Sequence, residues 1–191
     1  MSNLWRQVLA FAFLLLVGNP ALVYCAEDRW EPYRFLLGEW VGEGEGGPGK
    51  GKGEFSFGLE LGDKILVRKN HSEYPATAGR PAVLHDDLMV VYPGENQGSA
   101  RAIYFDNEGH VLHYSATFSP DKQTLTFLSD TTSSGPRFRL SYSKKEDRVV
   151  HITFEIAPPG KPDGFKTYLE GRARHKGGRK PAETGGKGLD P

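Results

Sequence analysis

Apolar and polar residues alternate along most of this chain, and a turn signal closes each alternating run. Such alternation marks half-buried β-strands, whose successive side chains point to opposite faces. Val149–Ile156 puts Val150, Ile152, Phe154 and Ile156 on one face, opposite Val149, His151, Thr153 and Glu155. Arg137–Tyr142 sets Phe138, Leu140 and Tyr142 against Arg137, Arg139 and Ser141. In His110–Phe118, Leu112, Tyr114, Ala116 and Phe118 share a face, with Val111, His113 and Ser115 behind them. The same reading predicts strands at Glu39–Glu45, Gly51–Leu61, Lys64–Glu73, Asp87–Tyr92, Ala100–Phe105, Thr124–Ser129 and Phe165–Arg174, ten in all.

Between these runs stand Gly62-Asp63, Pro93-Gly94, Asp106-Asn107-Glu108-Gly109 and Pro158-Pro159-Gly160, each a turn sequence. Tyr74–His85, with Pro75, Gly79 and Pro81, reads as a longer loop, and Trp30–Leu37 as a short helical entry. The connections are too short for parallel crossovers. The fold class that follows is all-β, an antiparallel up-and-down barrel of about ten strands behind a short helical turn. Closure removes exposed edges, and a barrel of this size can hold one small ligand. Alternation sorts each strand into two faces without saying which is the lumen.

The two ends read differently. Val8–Val17 is an apolar run, and Arg6 is the only charge before Glu27. This is a signal peptide, residues 1–26, cleaved after Cys25 or Ala26, and its apolar run is too short to span a bilayer. Bulky Tyr24 stands where a lipid-anchoring sequence needs a small residue, so Cys25 is expected to leave with the leader. The mature protein is then exported, periplasmic or secreted, with no thiol and no integral membrane segment. The stretch 175–191 is rich in glycine and charge and is expected to be disordered. One domain, 27–174, remains.

Composition trims the options. The chain carries 24 basic and 24 acidic residues, so the basic excess of a nucleic-acid binder is missing. One cysteine excludes a disulfide framework and a cysteine-rich zinc site. His85-Asp86-Asp87 has metal-ligand residue types, but neighbours on an extended chain diverge, so Asp86 reads as a turn residue and the others as solvated. The glycine-rich stretch Gly42–Gly53 lacks the spacing of a phosphate loop and reads as a flexible hairpin, fit to serve as a lid. G-x-S-x-G and H-E-x-x-H are both absent.

Gly38-x-Trp40 at the start of the first strand, after a helical entry, resembles the calycin barrels: lipocalins, fatty-acid-binding proteins and their relatives. Its extension through Gly42 and Gly44, and the Asp106–Gly109 turn, are similar to nitrobindin-type barrels and bacterial lipocalin-like domains of unknown function. The resemblance implies that Trp40 packs across the closed end beneath an arginine of the last strand, Arg172 or Arg174, with Gly38 structural. It implies a lumenal arginine for an acidic ligand, for which Arg139 is the candidate. Nitrobindin-type barrels hold haem through a histidine near the C-terminus. Here His175 falls in the tail and the last predicted strand has none, so no cofactor is expected.

The candidate ligand-binding residues are Arg139, His113, Tyr104 and Arg68, with His113 as a polar contact or general base. The expected partner is a small apolar or amphipathic molecule in the lumen. The alternatives are an isomerase- or cyclase-like enzyme using an inward His113 or His151, a haem barrel, and a barrel filled by Phe55, Phe105, Phe127 and Phe154.

Overall fold

The computed structural model describes residues 28–177, apart from 97 and 133; the leader 1–26 and the tail beyond 177 lie outside the described residues. A 3₁₀ helix, Glu31–Leu36, leads into ten strands: β1 Gly38–Gly46, β2 Gly49–Glu60, β3 Ile65–Tyr74, β4 Val83–Pro93, β5 Ala100–Asp106, β6 Val111–Phe118, β7 Thr124–Ser129, β8 Arg137–Glu146, β9 Val149–Ala157 and β10 Lys166–His175. Each pairs antiparallel with its sequence neighbour, and β10 returns to β1, closing the barrel from Trp40↔His175 to Gly46↔Leu169. The fold class expected from alternation is the one observed. Among the described residues, no helix is long and apolar enough to cross a membrane.

Two boundaries differ from the expectation, each for a physical reason. The loop expected at Tyr74–His85 ends early, because β4 begins at Val83. Its first lumenal positions are Val83, His85 and Asp87, so no run of apolar alternation announces it. His175 belongs to β10 rather than to a disordered tail. Its Nε2 donates to the Leu37 carbonyl at 3.0 Å, and its Nδ1 accepts from the Gly177 amide at 3.0 Å.

The 3₁₀ helix plugs one end. Tyr33 meets Phe118 edge-on at 4.8 Å, and Trp30 Nε1 donates to the Asp63 carbonyl at 2.8 Å, tying the plug to the β2–β3 turn. Beside it Trp40 lies buried, stacked on Phe55 at 5.8 Å, with its Nε1 donating to the Leu36 carbonyl at 2.8 Å. The residue that the resemblance led us to expect beneath Trp40 was an arginine. The structure puts His175 there instead, edge-on to the indole at 5.1 Å. Arg172 points outward, its Nη2 3.2 Å from Glu146, and Arg174 is exposed. Gly38 owes its identity to the same contact: its φ is +102°, and a Cβ there would sit 2.3 Å from the His175 imidazole.

The glycine-rich hairpin is wall rather than lid. β1 and β2 pair along their full length to Gly46↔Gly49, and the Gly47 amide donates to the Tyr168 carbonyl at 2.6 Å. Gly42, Gly44 and Gly53 line the lumen, and a Cβ at each would meet the neighbouring strand's backbone at 2.5 to 2.7 Å.

Candidate functional site in the barrel lumen

The lumen changes character along its axis. Its closed half is filled by a ring cluster: Phe55, Phe57 and Tyr142 lie within 5.4 to 6.0 Å of one another, and Phe127 lies 6.4 Å from Tyr142. The open half is a cavity of about 580 Å³. Of the four phenylalanines expected at a filled centre, Phe55 and Phe127 are in the packed half, and Phe154 lines the cavity wall. Phe105 is on the outside, 40% exposed. The barrel is thus half filled.

The cavity has two unlike walls. On β8 and β9, Phe138, Leu140, Ile152, Phe154 and Ile156 face inward, and Phe138 stacks on Phe154 at 5.9 Å and 8°. On β3, β4 and β5 the inward residues include Arg68, Asn70, His85, Asp87, Tyr104 and Asp106, with Ser72, Tyr74 and Val83 nearer the mouth. Strand register assembles that second wall. Asn70 sits opposite Asp87, and Asp87 opposite Asp106.

Arg68 and Asp87 form a buried ion pair, their side chains 7% and 3% exposed. Burial pushes the guanidinium pKa down, but the facing Asp87 charge, together with Tyr142 and Tyr104, outweighs it and holds the pKa above its ordinary value. The guanidinium lies 6.0 Å from the Phe55 ring and 5.9 Å from Tyr142. Among the described residues, its Nε and the Tyr142 hydroxyl have no hydrogen-bond partner. Asp87 also accepts from Asn70 Nδ2 at 3.0 Å. That contact turns Asn70 inward, so the formal glycosylation sequon Asn70-His71-Ser72 presents no outward acceptor.

His85 stands above this pair, nearer the mouth. Its Nε2 is 3.0 Å from the Tyr104 hydroxyl and 3.5 Å from Asp87, and its Nδ1 is 3.2 Å from Glu108. Asp87 and then Glu108 hold the imidazole pKa above its ordinary value, against the opposing effect of burial. Tyr104 donates to Asp106 at 3.3 Å. Burial, then the Asp87 and Asp106 charges, push its phenol well above the usual range, so it remains a donor. Burial would raise the Asp106 pKa, but the His110 amide and imidazole and the Glu108 amide outweigh it and keep the carboxyl below its ordinary value.

His85 therefore gives a pH signature. A pKa raised on folding stabilises fully below the unfolded value, about 6.5, and that stabilisation is lost as pH rises through the folded value. Wild type should exceed His85→Gln in melting temperature most at pH 6, with the gap narrowing toward pH 8.5. A gap that widens with pH contradicts the assignment of these contacts.

Of the sequence candidates, Arg68 and Tyr104 line the cavity. The other two do not. Arg139 points outward, its Nε and Nη2 on Glu155 at 2.5 and 2.7 Å and its guanidinium over Phe165 at 4.2 Å. On β8 the apolar face is the lumenal one, which turns the arginines out. His113 is exposed on the outside of β6, because Leu112 and Tyr114 take the inward positions. His151 is also outward, opposite Ser143 and Arg172. The residues missed were His85 and Asp87, read as solvated; the signal that could have found them is two-residue spacing on a strand, which puts both on one face. Asp86, between them, points out to His71.

His175, the C-terminal histidine of the haem alternative, lies at the closed end with both ring nitrogens hydrogen-bonded; among the described residues, the histidines that line the cavity are His85 and His110.

No family model matches the chain, and no curated protein is similar to it in sequence. Solved structures are similar to it in fold. Rv2717c from M. tuberculosis superposes with a TM-score of 0.57 at 15% identity, over 78% of this chain and 98% of that one. The S-type phycobiliprotein lyase CPES from Guillardia theta gives a TM-score of 0.48 at 8% identity, over 77% and 92%. At such identities the likeness is one of fold: a closed ten-stranded antiparallel barrel resembling the calycin type.

Proposed function

We propose that this chain is an exported, lipocalin-like binding protein that holds one small amphipathic molecule in its lumen. The observation that carries the reading is the two-walled cavity of about 580 Å³. It lies within the range of roughly 300 to 1,000 Å³ typical of small-molecule sites, which pair an apolar lining with a few placed polar groups. The stacked Phe138–Phe154 wall suits a flat apolar face, and the Asn70–His85–Tyr104 wall suits a polar edge. The apolar leader-like run Val8–Val17 supports export.

Native mass spectrometry on the protein isolated from its own host tests both parts. The expected result is a mature chain beginning after Cys25 or Ala26, carrying a bound mass of a few hundred daltons. Ile156→Trp, which projects an indole into the cavity from the apolar wall, should remove that mass while leaving a cooperative melt. A bound mass that survives Ile156→Trp overturns the lumenal site, and an uncleaved leader overturns export.

A further inference from the structure

The polar wall carries more carboxylates than lasting cations. Asp87, Asp106 and Glu108 border it, against one permanent charge, Arg68. Arg68 is buried and paired with Asp87. Its Nε and the Tyr142 hydroxyl have no hydrogen-bond partner among the described residues, but both are buried with it. Asn70, Tyr104 and His85 are committed. Asn70 Nδ2 gives its protons to Asp87 at 3.0 Å and Ser72 at 3.3 Å. The Tyr104 hydroxyl donates to Asp106, and the His85 ring nitrogens lie against Tyr104 and Glu108.

Around these carboxylates the wall offers free acceptors. The Asn70 carbonyl oxygen and the half-exposed Glu108 carboxylate are among them. Other cations near the mouth do not reverse the balance. Lys52 and Arg172 alternate with lumenal glycines, so they point outward, where they meet Glu73 at 3.3 Å and Glu146 at 3.2 Å. Arg80, at the rim, donates to the Gly47 carbonyl at 2.5 Å.

Resting on the lumenal-binding reading, we infer that the ligand's polar edge is a cationic, hydrogen-bond-donating nitrogen, an amine or amidine, and not a carboxylate. An ammonium meets unspent acceptors beside an excess of negative charge. A carboxylate entering the same place meets three others, and the Asn70, Tyr104 and His85 donors beside them are already bound, which is the costly arrangement in a partly desolvated site.

Three ring-matched fluorescent probes separate the outcomes when titrated into the full chain at pH 8: 9-anthracenylmethylamine, 9-anthracenemethanol and 9-anthracenecarboxylate. The amine should bind at least about tenfold more tightly than the carboxylate, with the alcohol between them. Glu108→Gln, on an exposed turn away from the packed half, should weaken the amine roughly three- to tenfold and leave the alcohol unchanged. A carboxylate that binds as tightly as the amine overturns this inference while lumenal binding stands. So does an equal effect of Glu108→Gln on amine and alcohol. Failure of all three probes to bind overturns the lumenal-binding reading and this inference with it.

Discussion

Replacing Trp40 by alanine is expected to cost about 3–5 kcal/mol of folding stability, the usual range for deleting a fully buried aromatic. Trp40 is 1% exposed and closes the barrel between Phe55 and His175. The truncation removes both ring contacts and leaves a void that rigid strands on either side cannot collapse into. It also orphans the Leu36 carbonyl, which the indole N–H satisfies at 2.8 Å. For a domain of this size the melting temperature should fall by roughly 10 °C. Trp40→Phe keeps the stack but not the donor, so it should lose less, about 1–3 kcal/mol. A Trp40→Ala protein that melts with wild type removes the plug from this account.

The second large effect belongs to Asp87→Asn. This change leaves the Arg68 guanidinium buried and without its counter-charge, which costs about 3–5 kcal/mol when one partner of a buried pair is removed. The neighbours cannot replace the lost charge, because Phe55 and Tyr142 flank the guanidinium and Asn70 is itself a donor to Asp87. The diagnostic comparison is the double variant Arg68→Met with Asp87→Asn. Removing both charges should recover part of the loss, because the penalty is the stranded cation and not the absent bond. Denaturant melts of the two variants check this. A double variant less stable than Asp87→Asn alone contradicts the ion pair's role.

These two effects mark what the sequence reveals and what it hides. Trp40 was legible: Gly38-x-Trp40 after a helical entry pointed to a packed closed end. Its partner was not, since nothing in Arg172-Ala173-Arg174-His175 says which side chain turns inward. The register Trp40↔His175 decides it. The strands were legible wherever the lumen is apolar, as on β8 and β9, where Phe138 and Phe154 alternate with polar outward residues. Where the lumen is polar, the pattern inverts its meaning. On β4, His85 and Asp87 point inward while Leu84 and Leu88 are exposed outside, so over that stretch a rule that buries apolar residues assigns the faces backwards, although Met89 and Val91 farther along the inward face are buried. The same ambiguity made Arg139 a lumenal candidate and let His85 read as solvated. The Arg68–Asp87 pair spans 19 residues and two strands, and only pairing in space brings it together.

The central claim is that a small molecule occupies the open half of the lumen, between the two unlike walls. Methyl-resolved NMR during titration with 9-anthracenemethanol tests it most directly. The account predicts shifts in the lumenal methyls of Leu140, Ile152, Ile156 and Leu169. It predicts no change in Val41, Leu61, Leu84 and Val111, which are exposed on the outside. Shifts confined to that outer set, with the lumenal methyls silent, would contradict it.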